Sequence, residues 1–123
     1  MKIRHFCIIA QNPALLKKFY SELLETPPSF TSETSEYCEF NAEQEAKLDI
    51  DPLDVLALEI GQGPASEKRP LIRIEADDVD GVFAQSLAKK FQTLTEPKKK
   101  PWGEKSFHLL DPEGNLIEIF QKL

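Results

Sequence analysis

Glu118 stands between Ile117 and Ile119, and Glu59 stands between Leu58 and Ile60. Neighbours in a strand alternate faces, so the aliphatics would turn to a core and both glutamates to the opposite side. His5 opens a further apolar run, HFCIIA. An imidazole with two carboxylates suits a divalent metal of intermediate softness, such as nickel, cobalt, zinc, manganese or iron(II). Such an ion works as a Lewis acid on a developing oxyanion, and a nearby carboxylate, here Glu118, can serve as general base. His5, Glu59 and Glu118 are therefore the expected metal ligands. The plain alternative is a solvated glutamate and a hydrogen-bonded histidine.

Other side chains compete for a role in binding. His108 precedes a turn at Asp111-Pro112-Glu113-Gly114-Asn115. If that turn is tight, Leu110 pairs with Leu116 and His108 lies opposite Glu118, on the same face. Cys7 shares a face with His5 by alternation, although a free cysteine is usually inert packing. Trp102, together with Phe40 or Tyr37, is read as a stacking wall for a ligand, or else as packing on a sheet edge. Lys98-Lys99-Lys100 is a solvated loop or a lid for an anionic group. No nucleophile elbow, phosphate-cradling glycine loop or zinc-finger spacing occurs.

These residues need strands and helices to hold them. Lys2 to Ala10 reads as a buried strand. Asn12 is a helix N-cap with Pro13 at the first helical position. Leu15, Leu16, Phe19, Tyr20, Leu23 and Leu24 form one helical face, and Thr26-Pro27-Pro28 stops it. Short strands are expected at Ser29 to Ser32 and at Tyr37 to Asn41. Ala42 to Asp54 is read as an acidic loop, with a short strand near Leu48 as the alternative. Val55 to Ile60 is a strand, and Gly61 to Pro70 is a linker. The pattern then restarts with a strand at Leu71 to Ala76 and Asp78 as N-cap. A helix follows to about Phe91, with Val79, Val82, Phe83 and Leu87 on its apolar face. The last strands lie near Thr93 to Glu96, Lys105 to Leu110 and Leu116 to Gln121.

The restart is an internal repeat. A shift of 66 places Ile8 on Ile74, Ala10 on Ala76 and Asn12 on Asp78. A shift of 59 places Leu58-Glu59-Ile60 on Ile117-Glu118-Ile119. The expected fold class is α+β. Two repeated βαβββ modules form a curved mixed sheet around a cleft, with the helices on the outer face. One domain is expected, with module 1 at about 1–62, a linker at about 61–70 and module 2 at about 71–123. The counterpart of His5 under the first shift is Leu71, so the symmetric ligand set has a gap.

Length and charge narrow the field. The chain has 123 residues, the size of one domain. Its net charge of −6 repels phosphate backbones, which argues against nucleic acid and mildly favours cationic small molecules. No apolar run approaches the roughly 20 residues that span a bilayer. Two cysteines make neither a disulfide framework nor a CxxC metal site, so a reducing cytoplasm is the expected location.

The stretch PWGEKSFHLLDPEGNLIEIF, the opening HFCIIA with FYSELLE, and ADDVDGVF together resemble the glyoxalase/bleomycin-resistance/dioxygenase group, the vicinal oxygen chelate superfamily. The resemblance spans nearly the whole chain. It implies metal positions at His5, Glu59, Leu71 and Glu118, with leucine in place of the usual His or Gln. It also implies a homodimer. Two functions follow. The first is a protein that binds a small organic molecule in its cleft, with a degenerate metal site. The alternative is a metal-dependent lyase or isomerase of the glyoxalase I type. A third reading is a structural module with no small ligand.

Overall fold

The computed structural model describes residues 5–41, 47–54 and 71–123, with the backbone alone at His5. The chain is α+β and divides into two compact units, residues 1–65 and 66–123.

Unit 1 begins with strand β1 (His5–Ala10) and helix α1 (Pro13–Leu24). The helix starts as its sequence dictates: the Asn12 side chain accepts from the Leu15 amide, and Pro13 sits where a missing N–H costs nothing. It ends at Glu25, whose φ of 54° is left-handed. Strands β2 (Phe30–Thr31), β3 (Cys38–Phe40) and β4 (Lys47–Pro52) join β1 in a sheet whose described strands run in the order β1-β4-β3-β2. Leu16 and Tyr20 of α1 are fully buried, and the Tyr20 ring lies 6.4 Å from that of Phe40. Ile8, Cys38, Phe40 and Ile50 therefore form the helix-side face of the sheet, each buried.

Strand β4 corrects the reading of Ala42 to Asp54 as mainly loop. It runs parallel to β1, with Ile8 opposite Ile50 and Cys7 opposite Asp49. Its aspartates alternate with apolar residues, so one half of its pattern looks like a loop and the other like a core. The expected strand at Val55 to Ile60 and the linker at Gly61 to Pro70 lie outside the described residues.

Unit 2 repeats the plan with β5 (Ile72–Glu75), α2 (Val79–Ala88), β6 (Gln92–Thr93), β7 (Lys98–Lys99), β8 (Glu104–Leu110) and β9 (Leu116–Lys122). The main sheet order is β5-β9-β8-β6, and β7 also pairs with β8. Asp78 caps α2 by accepting from the Gly81 amide, and the Val79 amide donates to the Gln121 side chain at 3.0 Å, tying the helix to β9. The helix stops short of Phe91 because Lys90 turns left-handed at φ 60°. Leu87, expected on its apolar face, is exposed. Phe107, Leu109, Ile117 and Ile119 make the helix-side core.

The turn between β8 and β9 sets the register. Asp111 accepts from the amides of Glu113 (2.9 Å) and Asn115 (2.8 Å) and from the Asn115 side chain (2.6 Å). Gly114 supplies the positive φ of 80° that closes it. Leu110 then pairs with Leu116, and His108 with Glu118, as the turn predicts. Asp111 is buried, so Asp111→Ala leaves two amides and an amide side chain without their acceptor. The expected loss is about 2 kcal/mol, or roughly 8 °C in Tm, read by thermal unfolding.

Candidate functional site

In unit 2 the strand face turned away from α2 carries Arg73, Glu118, His108 and Glu104. Arg73 lies directly across from Glu118 in the parallel β5–β9 register. Its Nε donates to Glu118 Oε2 at 2.9 Å and its Nη2 to Glu104 Oε2 at 2.6 Å. The guanidinium carbon sits 4.0 Å from the centroid of the Phe120 ring, a cation–π distance. Trp102, largely exposed, donates from Nε1 to the same Glu104 oxygen at 3.1 Å. Burial by itself would raise the Glu118 pKa; the hydrogen bond from Arg73 and the charges of Arg73 and His108 outweigh it and hold the carboxyl below its ordinary value. His108 is fixed by Thr95, whose hydroxyl accepts from the His108 amide at 2.9 Å and lies 3.3 Å from Nδ1.

Unit 1 has a different chemistry at the equivalent place. Aligning β1 with β5 through Ile8 and Ile74 makes Cys7 the counterpart of Arg73. Aligning their parallel partners makes Asp49 the counterpart of Glu118. Among the described strands the repeat thus matches Glu118 to Asp49, in a segment whose sequence suggests mainly loop with a short strand near Leu48. Asp49 is only 3% exposed, and Cys7 Sγ donates to its Oδ2 at 3.6 Å. One donor atom from each of Cys7, Asp49 and Asp51 fits within a 4.8 Å group. Glu39 lies across from Asp49 in the β3–β4 register, and the Tyr37 hydroxyl donates to Glu39 at 2.9 Å. Phe30, across from Glu39, brings its ring 6.1 Å from that of Tyr37.

This concentration of acid is visible in the groups that titrate beside it. Burial first, then hydrogen bonds and charge from Asp51 and Asp49, pushes the Cys7 thiol up to about 12. Tyr37 is also raised, by burial and then by Glu39 and Asp49. Cys7 is exposed yet overwhelmingly protonated at neutral pH. Cys38 is buried, and burial raises its thiol to about 11 against the opposing charge of Lys17. At pH 8, Cys7 should react with iodoacetamide at least about a hundredfold slower than an unhindered thiol, because the thiolate is the nucleophile. Asp51→Asn removes a charge that disfavours the thiolate and should speed the reaction about tenfold, followed by intact mass.

The residues singled out by sequence fall in different places. Glu59 and the His5 side chain lie outside the described residues. Cys7 lies in the acidic face of unit 1, and His108 and Glu118 lie together in unit 2. Phe40 is a correction: it is fully buried against Tyr20, because its parity in β3 matches Cys38 and Ile50 rather than Glu39. Tyr37 reaches the acidic face instead. Sequence reading missed Arg73, Glu104, Asp49, Asp51 and Glu39. Arg73 was within reach, since it interrupts the apolar strand LIRIEA with the same parity as Leu71. A separate open depression lies at the C-terminal ends of β1 and β4, lined by Gln11, Pro13, Ser32, Glu36 and Pro52, and contains none of the expected site residues. Among the described residues, no helix is long and apolar enough to cross a membrane.

Known proteins bear on this geometry. The Glyoxalase-like domain family matches residues 3–123. The uncharacterized protein YraH of Bacillus subtilis (strain 168) is 25% identical over 129 residues, covering all of both chains. A glyoxalase-related enzyme from Fulvimarina pelagi superposes with a TM-score of 0.81 at 17% identity, over 99% of this chain and 88% of that one. A glyoxalase/bleomycin resistance protein/dioxygenase from Nocardioides gives 0.77 at 18% identity, over 100% and 84%. At these identities the two superpositions speak for the fold.

Proposed function

The chain belongs to the glyoxalase-like domain family, and from that premise we propose that it binds a small organic cation on the acidic strand face of unit 1. The observation that carries this reading is the buried Asp49 beside Asp51 and Glu39, on the face away from α1. Where unit 2 supplies a guanidinium to its carboxylate, unit 1 supplies a neutral thiol. An ammonium or amidinium group is the charge complement of these carboxylates. Phe30 and Tyr37 border the face with aromatic surface, which attracts cations and apolar bodies alike.

A metal-dependent lyase of the glyoxalase I type would hold an ion at His5, Glu59, Leu71 and Glu118. Leu71 offers only hydrocarbon, and Glu118 Oε2 already accepts from Arg73. Those two positions do not fit a metal, and the binding reading involves no metal-borne step. One observation favours a second reading, a divalent ion on unit 1: the close approach of Cys7, Asp49 and Asp51 donor atoms.

Calorimetric titration of the full chain with benzyltrimethylammonium, benzylsulfonate and, separately, zinc or nickel tests both. Binding of the ammonium but not the sulfonate, undiminished by a chelator, supports the first reading. No preference for the ammonium overturns it. Metal binding lost in Asp49→Asn supports the second.

A further inference from the structure

We propose that Arg73 is the built-in counter-cation of a latent metal site formed by Glu118 and Glu104, and that its guanidinium keeps divalent ions off those carboxylates. The proposal concerns unit 2 alone and does not depend on what unit 1 binds.

The geometry is that of a cation already coordinated. Two carboxylates from two strands meet one guanidinium, at 2.9 Å and 2.6 Å. Phe120 closes the group from beneath at 4.0 Å, and Trp102 fixes the Glu104 oxygen that Arg73 uses. The arginine is thus held by charge, by hydrogen bonding and by an aromatic face. A dication approaching Glu118 would meet a fixed positive charge about one hydrogen bond away, and the oxygen it needs is already an acceptor. His108, across from Glu118, is held at Thr95. Without Arg73, the two carboxylates on this strand face would be left without the cation that now bridges them.

The repeat supports this assignment. Arg73 occupies the position that Cys7 occupies in unit 1, so the arginine is not demanded by the strand pairing. It is specific to the half that carries Glu118. The carboxylate is retained while the capacity to bind an external ion is filled from within the chain.

The test uses the full chain, stripped of metal and titrated with zinc, nickel and manganese by calorimetry and by thermal shift. Wild type, Glu118→Gln, Asp49→Asn, Arg73→Ala, Arg73→Gln and Arg73→Ala/Glu118→Gln are compared. Wild type should show no ion binding that Glu118→Gln removes. Arg73→Ala or Arg73→Gln should gain one ion per chain, at least tenfold tighter than wild type at that site, with the gain lost in the double variant. The two single variants guard against misfolding of either one, and circular dichroism reports whether each is folded. Methylguanidinium should raise the Tm of Arg73→Ala more than that of wild type, by refilling the vacated place. Two results overturn the proposal: ion binding by wild type that depends on Glu118, or folded Arg73 variants that gain none. An ion lost in Asp49→Asn but unaffected by Glu118→Gln belongs to unit 1 and leaves this proposal standing.

Discussion

Asp49→Asn is expected to weaken binding of benzyltrimethylammonium at least tenfold while leaving the fold intact. Asparagine has nearly the shape of aspartate and can still accept from the Cys7 thiol, which lies 3.6 Å from Oδ2. What it loses is the charge. A carboxylate at 3% exposure interacts with a cation through a medium less polarisable than water, where a single charge pair is worth about 2 kcal/mol or more. That corresponds to a factor of ten to thirty in Kd. Asp51→Asn should have a smaller effect, since Asp51 is half-buried and more of its field reaches water. Raising the salt concentration should weaken wild-type binding only modestly if the pair is sheltered, and strongly if the ligand sits at the rim. Equal binding by wild type and Asp49→Asn would remove the acidic face from the functional account.

The largest loss of stability is expected from Phe107→Ala. Phe107 is fully buried in β8 and meets the Phe83 ring of α2 edge-on, with centroids 5.1 Å apart. It is the side chain through which helix and sheet of unit 2 lock together. Truncation removes the transfer energy of the ring, leaves a cavity that a sheet cannot close by collapse, and deletes the ring–ring contact, for a total of about 4 kcal/mol. In a chain of this size that is a fall of roughly 15 °C in Tm, measured by calorimetry. Phe83→Ala should cost less, because Phe83 is only half-buried. A fall below about 3 °C for Phe107→Ala would mean that α2 does not depend on this ring.

The parts of the fold legible in sequence are those written locally. Asn12 and Asp78 announce their helices because a capping side chain acts within three residues. The Asp111–Asn115 turn announces the β8–β9 register, and with it the pairing of His108 with Glu118. What sequence concealed depends on distant partners. KLDIDP is a strand only because β1 and β3 flank it; alone, its aspartates and proline look like a loop. Among the described strands the counterpart of Glu118 is Asp49, a residue whose strand must be known before the equivalence can be seen. Arg73 sits in plain view, but its partner is 45 residues away, and no local rule connects them. Phe40 misled for a smaller reason: one step of parity decides whether an aromatic packs under the helix or looks outward.

In both units the first described strand finds its parallel neighbour in the last described one, across a separation of 42 residues for Cys7 and Asp49 and 45 for Arg73 and Glu118. On a ribosome moving at about 5–20 residues per second, each opening strand waits roughly 2–9 seconds for its partner to be made. Through that interval HFCIIA, and later LIRIEA, are emerging apolar segments with an unsatisfied backbone edge. The nascent chain therefore passes twice through a window in which a holdase has something to grip. Each window shuts only when the strand bearing the key carboxylate, Asp49 or Glu118, clears the exit tunnel.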